Sequence, residues 1–147
     1  SLNLDYAVDF CYSNDAFEHV DDVPASMRAI YSALNPSGRF VCNIDLRGHN
    51  VFNLPERPLD FLTCPDRLWR LMFSDIATTN RVRAHEFVAA AKAAGFIVAK
   101  AKVLARADPA YVASVRPHWL SRYQGLSNEE LGILQLLLVL ERPDESA

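Results

Sequence analysis

The chain has no glycine-rich loop. Its five glycines, Gly38, Gly48, Gly95, Gly125 and Gly132, never lie closer than seven positions apart, so neither G-x-G-x-x-G nor G-x-x-x-x-G-K can be written and a phosphate-cradling turn of that kind is excluded. Cysteine is scarce as well. Cys11, Cys42 and Cys64 are odd in number and widely spaced, which argues against a disulfide framework and against a zinc knuckle. A reduced compartment, the cytoplasm, is the expectation, and no metal site is expected. The net charge of -3 comes without a Lys/Arg cluster, leaving no electrostatic footprint for nucleic acid or an anionic membrane. The longest apolar stretch, residues 133–140, is interrupted by Gln135 and falls far short of the roughly 20 residues that span a bilayer. No secretory signal pattern opens the chain; it begins with Ser rather than Met, so it is expected to be processed or a piece of something longer. What is present is ordinary: 147 residues, 50% hydrophobic and 22% charged, the makeup of a single soluble globular domain.

Residues 7–13 (AVDFCYS) form a short, mostly apolar run closed by Asn14-Asp15, which suits a strand buried on both faces of a parallel sheet. Val23, Met27, Ile30, Tyr31 and Leu34 then recur at helical spacing. Asp21 or Asp22 can cap that helix, and Pro24 is tolerated in its first turn because the missing N–H had no intrahelical partner there. Asn35-Pro36-Ser37-Gly38 ends it, and residues 39–46 (RFVCNIDL) read as a second buried strand. Strand, helix, tight turn and strand in that order imply a right-handed crossover and parallel pairing. Residues 47–80 are richer in proline and aromatics and hold one expected helix, residues 65–74, with Leu68, Leu71 and Met72 on one side. We read this segment as an insertion or lid within the domain. Residues 83–94 predict a helix with Phe87, Val88, Ala91 and Ala94 as its apolar stripe and Gly95 as its stop. Residues 96–104 alternate as an edge or near-edge strand does, and Ser127 to Glu130 form a capping-box pattern, S-x-x-E. The apolar run at residues 135–140 is strand or helix by periodicity alone.

The stretch Val8-Asp9-Phe10-Cys11-Tyr12-Ser13-Asn14-Asp15-Ala16-Phe17-Glu18-His19-Val20, then a helix and Leu34-Asn35-Pro36-Ser37-Gly38-Arg39-Phe40-Val41, resembles S-adenosylmethionine-dependent methyltransferases of the Rossmann-like class. The family pattern is an apolar strand ending S-N, then L-E-H-V, an amphipathic helix, and L-x-P-G-G-x-(L/F). Phe17 stands where leucine is usual and Ser37 where glycine is usual. Asp45-Leu46-Arg47-Gly48-His49, Leu68-Trp69-Arg70-Leu71-Met72, Asn80-Arg81-Val82-Arg83 and residues 126–141 look like further segments of the same type. The resemblance implies an α/β fold, a partial Rossmann-like sheet holding strands four to seven. That sheet would be mostly parallel with an antiparallel last strand, helices on its faces, and residues 135–140 as the closing strand. The family's glycine-rich turn and its ribose-holding acidic residue precede the part matched here, so the chain alone is expected to bind S-adenosylmethionine weakly or not at all.

In open α/β sheets ligands gather beyond the carboxyl ends of the strands. By resemblance Asn14, Asp15 and Phe17 would meet the cofactor, with Glu18 and His19 between it and a small-molecule acceptor. Asp45, Arg47 and His49 occupy the equivalent end of the second strand. Methyl transfer from a sulfonium is an in-line displacement, dominated by positioning and exclusion of water. A base matters only for an O–H or a protonated nitrogen, and His19 and His49 are the candidates because imidazole titrates near neutrality; His85 and His118 are weaker ones. Trp69, Phe73 and Phe61 could roof the acceptor, and Arg81 and Arg83 could hold an anionic one, since cations at a helix start oppose its dipole. Each also has a plain structural reading: a strand-ending turn, loop histidines, core aromatics, a solvated charge. A second reading, a non-catalytic module, has the first strand as an apolar edge that forms a homodimer. A nucleotide-dependent oxidoreductase would need the absent turn and a Tyr/Lys pair for which no clear spacing exists.

Overall fold

In a computed structural model the chain is described over residues 7–72 and 79–144. Strand β1 (Val8–Asn14) leads through a one-turn 3-10 segment, Phe17–His19, into helix α1 (Val23–Ala33) and then strand β2 (Leu34–Asp45). Helix α2 (Asp66–Met72), helix α3 (Ala84–Ala93) and strand β3 (Ile97–Arg106) follow; helices α4 (Pro109–Val115) and α5 (Asn128–Leu131) precede the closing strand β4 (Ile133–Glu141). The sheet order is β1-β2-β4-β3.

Local chemistry sets most of these boundaries. Asp22 accepts a hydrogen bond from the Ala25 N–H at 2.8 Å and caps α1. Ser127 and Glu130 complete the expected capping box around α5. Gly95 ends α3 at a φ of 103°, a left-handed conformation that disfavours a side chain. The turn expected at residues 35–38 lies inside β2 as a bulge, because Val8 pairs with Leu34 but Phe10 pairs with Arg39. Within it Ser37 has a φ of 62°, which explains the glycine usual at this place. Ser37→Gly is expected to stabilise the fold by about 0.5–1 kcal/mol, measured as a raised urea midpoint.

The sheet corrects two expectations. β1 and β2 are parallel, but β4 lies between β2 and β3 and runs antiparallel to both. Three strands thus point one way while only one of the three pairings is parallel; the expected antiparallel pairing of the last two strands is present. β1 is not buried on both faces. It is an edge strand whose Phe10 and Tyr12 are each 58% exposed, while Cys11 and Val8 pack on the core. The run left open between strand and helix is a central strand. Its even-numbered leucines, Leu136, Leu138 and Leu140, turn inward, and α5 stops after one turn at Gly132.

Helices α1 and α3 pack on each other and on one face of the sheet, around Met27, Phe40, Cys42, Ile44, Phe87 and Leu138. A second apolar cluster lies past the carboxyl end of β2, where Leu59, Phe61 and Leu62 of the expected insertion meet Trp119, Tyr123 and Leu134. The segment at residues 47–63 is therefore wedged between β2 and the α4–β4 connection. The expected apolar side of α2 does not face this core: Leu68, Leu71 and Met72 are exposed. Phe73 lies outside the described residues. No helix among the described residues is long and apolar enough to cross a membrane.

Candidate active site

Parallel pairing brings the carboxyl ends of β1 and β2 side by side, with Asn14 opposite Asn43. The Asn43 side-chain amide donates to Asn14 Oδ1 at 3.0 Å and to Asp15 Oδ1 at 3.2 Å, and the Asn14 amide donates to Asp15 Oδ2 at 2.8 Å. Tyr12 Oη donates to Asn14 Oδ1 at 3.0 Å, and the Gln135 amide reaches Asn43 Oδ1 at 3.3 Å from the neighbouring strand. Asp15 itself has a φ of 48°, which turns the chain sharply off the strand. Asn14 and Asp15 are thus held by the sheet rather than free on a loop.

The next turn carries Phe17, Glu18 and His19. Phe17 is 5% exposed and its ring lies 5.4 Å from that of Phe40, so it anchors the turn in the core. Asn80 holds the same turn from outside. Its amide donates to the carbonyls of Phe17 and Val20, each at 2.9 Å, its backbone N–H donates to the Glu18 carbonyl, and its Oδ1 accepts from the Val82 N–H. Glu18 is 1% exposed, and neither carboxylate oxygen has a hydrogen-bond partner. Loss of water pushes its carboxyl above the usual range; its own backbone N–H and His19 oppose this, while Asp15 and Asp45 add to it.

Across from this turn, Asp45 at the end of β2 accepts from the Arg47 backbone N–H at 3.0 Å and from its guanidinium at 3.2 Å. His49 Nε2 lies 3.6 Å from Asp45 Oδ2 and His19 Nε2 lies 3.9 Å from Glu18 Oε1. The two imidazoles face each other with centroids 5.1 Å apart. Each histidine therefore has a carboxylate behind it, and the two pairs meet at the ends of adjacent parallel strands. Among the described residues no three of His, Cys, Asp and Glu are grouped to hold a metal ion.

Arg83 does not join this site. It is 1% exposed, and its guanidinium donates to the carbonyls of Leu46 at 2.8 Å, Leu131 at 3.1 Å and Ile133 at 2.6 Å. Burial pulls its pKa down to about 10. It ties the start of α3 to the ends of β2 and α5. Arg81 is likewise engaged, with Asp66, the Cys64 carbonyl and the Trp69 ring at 4.6 Å. Trp69 packs against Phe52 and Phe61 in the second cluster. Both guanidinium groups thus have partners inside the protein. Phe61 is core, at 1% exposure, rather than a roof. His85 and His118 are exposed and lie outside the cluster.

Asn43 and Asn80 were not singled out by the sequence reading. Asn43 left a visible signal, a lone amide within the apolar run of residues 39–46; Asn80 stands in the Asn80-Arg81-Val82-Arg83 segment of the resemblance, but its partners, backbone carbonyls about 60 positions away, left none.

The burial of Glu18 without a donor carries a stability consequence. In the unfolded chain its carboxyl returns to the ordinary value of 4.5, whereas in the fold it is raised. The native state thus binds more protons between those two values, and stability falls as pH rises through that window. Glu18→Gln is expected to be more stable than the parent at pH 8, by about 1–3 kcal/mol, with the difference shrinking towards pH 4. Urea unfolding at both pH values checks this.

Residues 3–101 match the sequence profile of a family described as a methyltransferase domain, which is 99 of the chain's 147 residues. The chain belongs to the methyltransferase domain family. Solved methyltransferases share the fold. One from Mesorhizobium loti, S-adenosylmethionine dependent, is 22% identical with a TM-score of 0.57, over 97% of this chain and 65% of that one. A second match is a complex of the Haloferax volcanii Trm112 methyltransferase activator with a putative methyltransferase. It is 20% identical, TM-score 0.53, over 96% of this chain and 58% of that chain. The [4+2]-cyclase SpnF is 12% identical, TM-score 0.56, over 98% of this chain and 54% of that one. This methyltransferase-domain chain thus spans between about half and two-thirds of the length of these structures. No curated protein sequence matches it. A cyclase within the same fold shows why the reaction must be argued from the site rather than from the architecture.

Proposed function

We propose that this protein transfers a methyl group from S-adenosylmethionine to a small-molecule acceptor bound beyond the carboxyl ends of β1 and β2. The observation that carries this reading is the facing pair of carboxylate-backed imidazoles, Glu18 with His19 and Asp45 with His49, at the ends of two adjacent parallel strands. The donor set suits a cationic cofactor, since Asp15, Glu18 and Asp45 are carboxylates and Glu18 has no donor of its own. When bound, S-adenosylmethionine supplies an electrophilic methyl group on a positively charged sulfur. Asn14 and Asp15 would hold its methionine portion. Glu18, Asp45, Arg47 and Trp69 would face the acceptor, and His19 and His49 would take up the acceptor's proton. The remaining contacts to the cofactor belong to a glycine-rich turn that this sequence lacks.

Two measurements test the reading. Titration calorimetry with these 147 residues alone is expected to show no saturable binding of S-adenosylmethionine; micromolar binding would overturn the assignment of the main cofactor grip elsewhere. With a segment carrying that turn supplied, radiolabelled methyl transfer to a small-molecule panel is expected. His19→Ala should then lower the rate about 10²–10⁴-fold with cofactor affinity unchanged. Absence of transfer to every acceptor despite cofactor binding would sink the proposal.

A second reading is favoured by the edge position of β1 and the exposure of Phe10 and Tyr12: a module that pairs with a second copy through that strand. Light scattering that shows a monomer at high concentration, with rapid amide exchange at residues 8–13, would exclude it.

A further inference from the structure

Glu18 is the carboxylate of the site with the weakest partners: His19 at 3.9 Å and its own backbone N–H. Asp45 is paired with Arg47, and Asp15 accepts from two asparagine amides, but both Glu18 oxygens are buried without a donor at hydrogen-bond geometry. The groups around Glu18 come from three elements. His19 lies on its own turn, Asp15 follows β1, and β2 contributes Asp45 and the Cys42 thiol. Burial pushes that thiol up to about 12, so it stays uncharged at neutral pH. With Arg47 and His49 bound to Asp45, three carboxylates stand against one guanidinium. Asn80 fixes the backbone of the turn that bears this carboxylate, through the carbonyls of Phe17, Glu18 and Val20.

A buried carboxylate of this kind is satisfied best by a donor that also carries positive charge. A neutral hydroxyl would supply one hydrogen bond and no counter-charge, and an anionic acceptor would be repelled by Asp15 and Asp45. We propose that the acceptor is an amine, whose ammonium nitrogen Glu18 holds and deprotonates; this rests on the methyl-transfer reading above. The proton passes from nitrogen to a Glu18 oxygen. The freed lone pair forms the N–C bond to the methyl carbon, and the C–S bond breaks with its electron pair remaining on sulfur, leaving a neutral thioether and a methylated ammonium. His19, 3.9 Å from Glu18 and with its side chain 35% exposed, then carries the proton from Glu18 to water. The raised proton affinity of Glu18 suits it to accept a proton that an ordinary surface carboxylate would not keep.

The test is an amide-resonance titration of the chain with dimethylammonium chloride at pH 8, beside 2-propanol as the uncharged counterpart of similar size. Dimethylammonium is expected to shift residues 14–19 and 43–49 saturably and 2-propanol is not. Glu18→Gln, expected to fold at least as stably, should weaken the dimethylammonium affinity tenfold or more. Equal affinity in the two proteins, or saturable binding of 2-propanol, would overturn the proposal. A second arm compares S-adenosylmethionine with its uncharged thioether product in a protein supplied with the glycine-rich segment. If Glu18→Gln weakens only the sulfonium form and leaves dimethylammonium binding intact, Glu18 serves the cofactor and the amine assignment is wrong. Failure of the parent to bind either cofactor form would instead strike the methyl-transfer reading, while the amine titration would still report on Glu18.

Discussion

Arg83→Ala is expected to destabilise the fold by about 3–5 kcal/mol. The guanidinium donates to three carbonyls, from Leu46, Leu131 and Ile133. Burial of the charge has its own cost, seen in a pKa drawn down to about 10, and alanine relieves it. That relief is outweighed because alanine leaves a cavity as large as the side chain and orphans the acceptors together. Arg83→Lys should fall between, since one ammonium cannot reproduce the planar fork. Urea unfolding gives the comparison. A loss below about 1 kcal/mol for alanine would mean that water replaces the guanidinium. Leu46 directly follows Asp45, so the same variant should also loosen the Asp45–Arg47–His49 corner, seen as shifted resonances for residues 45–49.

Phe40→Ala is expected to cost a similar 3–5 kcal/mol, for a different reason. Phe40 is fully buried on β2, with Phe17 at 5.4 Å and Phe96 at 6.5 Å between ring centroids. Its removal opens the core directly beneath the turn that bears Glu18 and His19. Phe40→Leu, which keeps most of the volume, should cost less than half as much. Thermal unfolding separates the two variants. If alanine also gives Glu18 access to water, its carboxyl should move back towards the ordinary value, readable by carbon NMR titration. Unchanged titration would show that Asn80, not the Phe17–Phe40 contact, keeps that carboxylate dry.

Helical periodicity and caps were legible. The stripes of α1 and α3, the Asp22 cap, the stop at Gly95 and the box at Ser127 and Glu130 each follow from interactions within a few residues. The candidate site was legible in part, because the resemblance marked the strand ends that carry Asn14, Asp15, Glu18, His19, Asp45 and His49. Its electrostatics were not. Arg81 and Arg83 look like similar exposed cations in the sequence, yet one is claimed by Asp66 and Trp69 and the other by three carbonyls up to 50 positions away.

By itself the sequence determined helices α1 and α3 with their caps and stops, and it ruled out a glycine-rich phosphate loop within these 147 residues, since these depend on spacing and local backbone conformation. Only the tertiary structure decided that β4 inserts between β2 and β3 and that both Glu18 oxygens are buried. Strand order and burial are sums over contacts distant in the chain, and a carboxylate's neighbours become known only when Asp15, Asp45 and Asn80 close around the same turn.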